Sequence, residues 1–331
     1  VIHCEVIEER WEMLEPFQIA RETITHVPVL QLRLRDAQGR SGWAEAAGVD
    51  YEGETPASMA AQVHAVQHHL HDAADPRRTG SAAARRWRTQ RAGLRAVGPA
   101  GQTKRRAGLA GGGPGGLATV TTAYTIGLGD EATTRRKARQ ARAYPLLKLK
   151  VDAQRHIDVV HMVREEHPGA RIVVDANQSW SRGLLLSLLP ALADAGVELV
   201  EQPLPKGQDD DLDGLLAGLS HGLKLAADES CTDASSLPAL VGRYQFINIK
   251  LDKCGGLTEA LAMAGQASAL GLGLMVGNMC GTSLAMAPAF LLAQRCAYVD
   301  LDGPLLQKLD RPHAMPCEHG LMQPPTAALW G

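Results

Sequence analysis

From Thr119 onward the chain alternates short aliphatic runs with longer stretches of helical periodicity. The runs are TTAYTIG (121–127), LLKLKV (146–151), RIVVDAN (171–177), VELVEQP (197–203), LKLAADES (223–230), FINIKLD (246–252), LGLMVGN (272–278) and AYVDLDG (297–303). Between them lie RHIDVVHMVREEHPG, LLLSLLPALADAG and LTEALAMAGQASALG; the last two end at Gly196 and Gly271, the residue type that most often terminates a helix. Near-continuous apolar strands alternating with helices imply a parallel sheet covered on both faces. Eight such units predict an α/β fold, a (β/α)8 TIM-type barrel. No GxGxxG follows an early strand, which weighs against an open dinucleotide-binding sheet. Ahead of this region, IHCEVIEERW and VPVLQLRLRD followed by the turn AQGRSG predict an antiparallel meander.

Polar residues break the aliphatic runs at one recurring place. Lys148 and Lys150, Asp175, Glu201, Asp228, Lys250, Asn278, and Asp300 with Asp302 fall at the carboxyl ends of the second to eighth runs. In a barrel those ends form a single rim, the face that carries chemistry. Any one of them could be a helix N-cap; seven successive strands delivering one each is hard to obtain from capping. Three carboxylates from neighbouring strands, without His or Cys, make a hard oxygen site suited to Mg2+. Lys150 and Lys250 would flank that metal from opposite sides. Removing a proton beside a carboxylate builds an enediolate, which needs positive charge at the developing oxyanion. Lys148, two residues from Lys150 on the same strand face, would ease Lys150's deprotonation by like-charge repulsion. Two opposed bases and a metal-held carboxylate imply 1,1-proton transfer.

Composition narrows the class. The chain has 331 residues with 34 Lys+Arg against 36 Asp+Glu, so it is not a globally basic nucleic-acid binder. No apolar run reaches the ~18–20 residues of a membrane helix, and the first residues carry acids where a secretory leader carries bases. Six cysteines at positions 4, 231, 254, 280, 296 and 317 form no CxxC pair and read as reduced thiols. A cytoplasmic protein follows from these features. The charge is uneven, however: residues 76–118 hold nine Arg, one Lys and no acid. The GLAGGGPGGLA that ends this segment lacks the GK[ST] and the preceding strand of a phosphate loop.

The K-x-K, D-x-N, E, D and K motifs at Lys148 and Lys150, Asp175 and Asn177, Glu201, Asp228 and Lys250 resemble the enolase superfamily, in its muconate-lactonizing subgroup. The resemblance covers residues 1–75 and 119–331. It implies Mg2+ ligation by Asp175, Glu201 and Asp228, with Asn177 behind them, and Lys150 and Lys250 as the acid/base pair. No His lies between His221 and His313, which disfavours the branch with a His base. The pair Asp300 and Asp302 resembles the ammonium-binding pair of dipeptide epimerases. PFQIARET (16–23) resembles a mobile capping loop, with Arg21 placed for a glutamate side chain, and Asn278 would line the pocket floor.

The resemblance thus implies an α+β capping domain at 1–118, a barrel at 119–308, and a tail at 309–331 returning to the cap. Epimerisation of a dipeptide, L-Ala-D/L-Glu first, is the expected reaction, with the dipeptide as partner, no nucleic acid or membrane, and room for a homo-oligomer. Two enzyme alternatives share the lysines and ligands: o-succinylbenzoate synthase or N-acylamino acid racemase, and muconate cycloisomerase. A non-enzyme alternative is an inactive metal-binding barrel with a damaged cap. Residues 76–118 do not resemble the family, which places cap helices there, and the anomaly centres on about 80–118. GC-rich codons permitted for RWRTQRAGLRAVGPAGQTKRRAGLAG, read one base later, spell such a helix, so we read this segment as an out-of-frame translation.

Overall fold

The computed structural model describes residues 2–67, 116–219 and 222–330. The anomalous segment therefore lies, up to residue 115, outside the described residues.

The chain begins with an antiparallel meander. Strands β1 (His3–Gln18), β2 (Thr23–Arg35) and β3 (Ser41–Ala46) pair in sequence order. Alternation along β2 turns Leu30, Leu32 and Leu34 onto helix α1 (Pro56–Val66), where they meet Met59, Ala60 and Val63. Thr55 caps that helix reciprocally with Ser58. The segment expected as a capping loop is shorter in the structure: residues 16–18 finish β1 and Thr23 opens β2, leaving Ile19–Glu22 as the hairpin connection.

The aliphatic runs form an eight-stranded parallel barrel. Its strands are β5 (Tyr124–Ile126), β6 (Leu146–Lys150), β7 (Arg171–Asp175), β8 (Val197–Glu201), β9 (Lys224–Ala227), β10 (Phe246–Lys250), β11 (Gly273–Gly277) and β12 (Tyr298–Val299), hydrogen-bonded in that order. The first and last strands meet through the Ala123 N–H donating to the Val299 carbonyl at 2.7 Å. One expected strand is divided. Residues 120–121 form a separate strand, β4 (Val120–Thr121), which joins a small sheet with β13 (Cys317–Glu318) and β14 (Leu321–Met322). Helices α2 (Glu131–Gln140), α3 (Ile157–Glu166), α4 (Arg182–Asp194), α5 (Leu237–Leu240), α6 (Leu251–Cys254), α7 (Leu257–Ala269) and α8 (Ser283–Ala293) make the crossovers. After β8 the crossover is instead two single 3-10 turns, 209–212 and 215–218. Gly196 and Gly271 leave α4 and α7 with φ of 71° and 77°, as expected.

Because side chains alternate along a strand, every second residue faces the barrel axis. The lower inward layer is apolar: Ala123, Leu146, Val173, Leu199, Ala226, Phe246, Met275 and Tyr298. The layers above it are polar. Gly277 faces inward where a Cβ would lie 2.7 Å from the Asn248 amide, so only glycine leaves that amide room. After the barrel the tail returns to the meander. The Lys308 N–H donates to the Glu12 carbonyl, and helix α9 (Ala327–Trp330) buries Trp330. Among the described residues no helix is long and apolar enough to cross a membrane, and all six cysteines are free.

Candidate functional site

The polar strand tips converge on one buried cluster. Asp175 and Glu201 end β7 and β8, and Asp228 follows β9 directly. Each offers an oxygen within 4.8 Å of the others, and all three are at most 1% exposed. No other group of this kind occurs among the described residues. The donors are carboxylate oxygens alone, and Glu201 Oε2 is buried without a hydrogen-bond partner. That oxygen lies 2.8 Å from Lys148 Nζ as an ion pair but outside hydrogen-bond geometry. Three anionic oxygens converging in a buried place, one of them unsatisfied, fit a hard divalent cation.

Four lysines surround these carboxylates. Lys150 Nζ, at the end of β6, donates to Asp175 Oδ2 at 2.7 Å and to Asn177 Oδ1 at 3.1 Å. Lys250 Nζ, at the end of β10 across the barrel, donates to Asp228 Oδ2 at 2.8 Å. Lys148 sits one layer lower, 2.8–3.0 Å from Asp175, Glu201 and Asp300. It is thus tied to three carboxylates rather than facing Lys150 alone. The fourth, Lys253, was not foreseen. From α6 its Nζ reaches Asp228 Oδ1 and the Asp228 carbonyl, both at 2.5 Å.

Burial and pairing compete at every member. Burial opposes the charge of Lys148, yet Asp175, Asp300 and Glu201 outweigh it and hold its pKa well above the usual lysine range. Lys250 is likewise raised, burial being overcome by Asp228. Asp175 resists burial through Lys148 and Lys150 and stays below the ordinary range; Asp228 does so through Lys250 and Lys253. Glu201 has weaker compensation: burial and the neighbouring Asp175 push it up to about 8. A cation bound among the three would favour its ionised form.

The remaining expected residues also reach this rim. Asp300 and Asp302 follow β12; Asp302 Oδ2 accepts from the Thr125 N–H at 2.6 Å, and burial with the charge of Asp300 pushes Asp302 up to about 7. Asp300 Oδ1 is buried without a hydrogen-bond partner. Asn278 engages both ends of its amide locally, donating to the Asp300 carbonyl at 2.7 Å and accepting from the Cys280 N–H at 2.6 Å. Arg21 comes from the hairpin connection of the meander. Its guanidinium lies 4.7 Å over the Tyr51 ring and 3.5 Å from Glu229 Oε1. Asn177 links the two sides, accepting from Lys150 and donating to Glu229 at 3.4 Å.

Three further residues escaped the sequence reading besides Lys253. Asn248, fully buried, donates to Glu201 Oε1 at 2.8 Å; it lies two positions before Lys250, so period-2 alternation did carry a signal for it. Gln202 Oε1 accepts from the Asp228 and Ser230 N–H groups at 2.9 and 3.1 Å. Its φ of 34°, in the left-handed region, turns the chain directly after Glu201. Glu229, the neighbour of Asp228, is buried and meets Arg21.

The chain is similar to known proteins over most of its length. The chain is 36% identical over 322 residues to the L-Ala-D/L-Glu epimerase of Escherichia coli, covering 92% of this chain and 94% of that one. It is 41% identical over 213 residues to an N-acetyl-D-glutamate racemase from Pseudoalteromonas, covering 64% of this chain and 66% of that protein's length. Among solved structures, an enolase family member from Agrobacterium tumefaciens with homology to dipeptide epimerases, bound to sodium and L-Ala-L-Glu, superposes with a TM-score of 0.86. It is 35% identical, and the match covers all of both chains. Residues 130–328 match the model of the family described as enolase C-terminal domain-like. The chain belongs to the enolase C-terminal domain-like family.

Proposed function

We propose that the protein is a Mg2+-dependent dipeptide epimerase that inverts the α-carbon of the C-terminal residue by 1,1-proton transfer. The observation that carries this reading is the pairing of Lys150 and Lys250, from strands on opposite sides of the barrel, with carboxylates of one buried triad. Asp175, Glu201 and Asp228 would hold the metal, which supplies positive charge to a substrate carboxylate. A substrate α-carbon between the two ammonium-bearing strands then meets a lysine on each face. The lysine without its proton takes the α-proton, and the opposite lysine returns one from its own face, so configuration inverts. Either direction uses the same pair with the roles exchanged. Asp300 and Asp302, carried on the rim after β12, would receive the α-ammonium of a dipeptide. Arg21, above Tyr51, offers a cation to an acidic side chain.

The 41% identity with an N-acetyl-D-glutamate racemase favours a second reading, racemisation of an N-acylated amino acid. Such a substrate brings no ammonium to Asp300 and Asp302. One experiment separates the two readings. The protein is incubated with Mg2+ in D2O with L-Ala-L-Glu, pooled L,L-dipeptides and, separately, N-acetyl-glutamate, and deuterium at the α-carbon is followed by mass spectrometry. Exchange in dipeptides alone upholds the proposal. Exchange in N-acetyl-glutamate alone replaces it with the second reading. Metal binding without exchange in any of them leaves the inactive barrel.

A further inference from the structure

Lys253 is a buried lysine for which the two-base reaction has no use. Its position follows from local sequence. β10 ends at Lys250, α6 begins at once, and Gly255 and Gly256, with φ of 92° and 99°, stop that helix after one turn. A single turn carries the side chain three residues past Lys250 back beneath the barrel mouth. There the ammonium has three acceptors: Asp228 Oδ1 and the Asp228 carbonyl, with the Asn248 carbonyl at 3.2 Å. A lysine has three N–H bonds to give, so Lys253 has none left for a substrate, and its side chain is 2% exposed.

Asp228 is correspondingly constrained. Its N–H donates to Gln202 Oε1, its carbonyl and Oδ1 accept from Lys253, and Oδ2 alone is left for Lys250. The geometry points to Lys253 as a positioning residue that restricts Asp228 to one working oxygen, Oδ2, and thereby sets a balance between holding a metal and releasing Lys250. The inference deepens the proposed reaction and rests on Lys250 acting as one of its bases. With the Lys253 ammonium held against Oδ1, a metal and Lys250 both turn to Oδ2, where two cations on one oxygen repel each other. Lys250 would turn toward the substrate when Oδ2 holds a metal. Without Lys253, Oδ1 and its charge are released, so Asp228 can hold a metal through one oxygen and Lys250 through the other.

The two halves of this inference have opposite signs, which separates it from a merely structural role. Removing an ordinary hydrogen-bonding support of a metal ligand weakens metal binding by about 10–100-fold. Removing a fixed cation beside the site should strengthen it, by about fivefold or more from the Coulomb repulsion relieved at a few ångströms.

The test is Lys253→Met, compared with the wild-type chain in Mg2+ and Mn2+ titrations by calorimetry and in α-proton exchange in D2O from each epimer separately. The expected result is tighter metal binding together with exchange slowed about tenfold or more from the epimer that faces Lys250, and changed little from the epimer that faces Lys150. If metal affinity falls along with exchange, or neither moves, the inference is overturned while the proposed function stands. A wild-type chain that binds metal without exchange in any substrate overturns the proposed function, and tighter metal binding in the variant remains required of the inference. A wild-type chain that binds no metal overturns both. Lys253→Gln keeps a donor near Asp228 Oδ1, and the same tightening is required of it if the Met variant does not fold.

Discussion

Two clusters of buried charge occur in this chain, one where the meander meets the barrel and one at the barrel mouth, and they are built to different rules. At the junction between the meander and the barrel, Arg311 reaches Glu45 Oε2 and the Thr282 hydroxyl from Nε at 2.7 and 3.0 Å, meets Glu9 and Gln31 through its other nitrogens, and stacks over Trp11 at 5.0 Å. Glu45 in turn accepts from the Thr282 N–H at 2.7 Å. A planar guanidinium with several fixed donors is matched to two carboxylates, and none of the charged oxygens there lacks a hydrogen-bond partner. At the barrel mouth the cations are lysines, compact point charges, and Glu201 Oε2, Asp300 Oδ1 and Glu229 Oε2 are buried without hydrogen-bond partners. Completed hydrogen bonding marks a joint; oxygens left over mark a place where something else binds.

The sharpest way to break this comparison is at the lysines. Lys150→Ala and Lys250→Ala should each cut turnover by about 10²–10⁴-fold, the usual contribution of a general acid or base. The losses should be one-sided: each variant loses α-proton exchange from a different epimer, read by mass spectrometry in D2O. Full exchange from both epimers in either variant would sink the two-base reading and reduce the mouth to another structural cluster.

Removing the central cation of each cluster compares them directly. Arg311→Met takes the cation from Glu9 and Glu45, and Lys148→Met takes it from Glu201 and Asp300, Asp175 keeping Lys150. Each should cost about 3–5 kcal/mol in metal-free urea unfolding, as breaking a buried ion pair does. Mg2+ at about 100 times the wild-type dissociation constant should add about 2.7 kcal/mol to the wild-type chain, because binding to the folded state stabilises it. It should add more than that to Lys148→Met, where the metal replaces a missing positive charge and binds more tightly. The same Mg2+ should give Arg311→Met no more than it gives the wild-type chain. Equal metal rescue of both variants would erase the distinction between joint and site.

Much of the mouth was legible in the sequence because a barrel imposes two regularities at once. Period-2 alternation fixes which residues face the axis, and the βα beat brings strand ends to one rim, so Lys150, Asp175, Glu201, Asp228 and Lys250 could be placed without coordinates. What escaped depends on local turns or on distant pairing. Lys253 returns to the site only because two glycines stop α6 after one turn. Arg311 and Glu45 lie 266 residues apart, with no periodic pattern relating them. The first barrel strand was read as continuous from 121 to 127. Thr122 divides it, its N–H donating to the Gly320 carbonyl and its hydroxyl accepting from the Leu301 N–H. The crossover after β8 lacks a long helix because residues 206–214, rich in Asp and Gly, favour turns.

A smaller effect is expected at Asp302. Folding raises its pKa from the ordinary 3.8 to about 7, so the folded chain holds this proton more tightly than the unfolded one. The linked stability is complete below about pH 4 and is lost as pH rises through 7. The proposed ammonium binding would have the opposite trend, because it needs the ionised carboxylate. Dipeptide kcat/KM should therefore fall up to about tenfold per pH unit below 7. Asp302→Asn, which keeps an acceptor for the Thr125 N–H, should flatten that profile and weaken dipeptide binding about tenfold. An unchanged profile in the variant would assign the pH dependence to another group.

The smallest effect belongs to Arg21, which lies between the two kinds of cluster. It is paired, like Arg311, through Glu229 and the face of Tyr51, yet its side chain is 31% exposed and Glu229 Oε2 has no hydrogen-bond partner. A carboxylate-bearing substrate would compete with Glu229 for the same guanidinium, so part of the gain from binding would be offset by the pair that is lost. Exposure screens both interactions. Arg21→Met should therefore lower kcat/KM for L-Ala-L-Glu by about two- to fivefold, within the range of a partly exposed ion pair. Exchange with an apolar dipeptide such as L-Ala-L-Leu should change by less than about twofold, since Arg21 touches none of Lys150, Lys250 or the triad. Parallel losses on both dipeptides would make Arg21 part of the joint that holds the hairpin connection on the barrel. A loss confined to the acidic substrate would make it a selectivity residue held in reserve by Glu229.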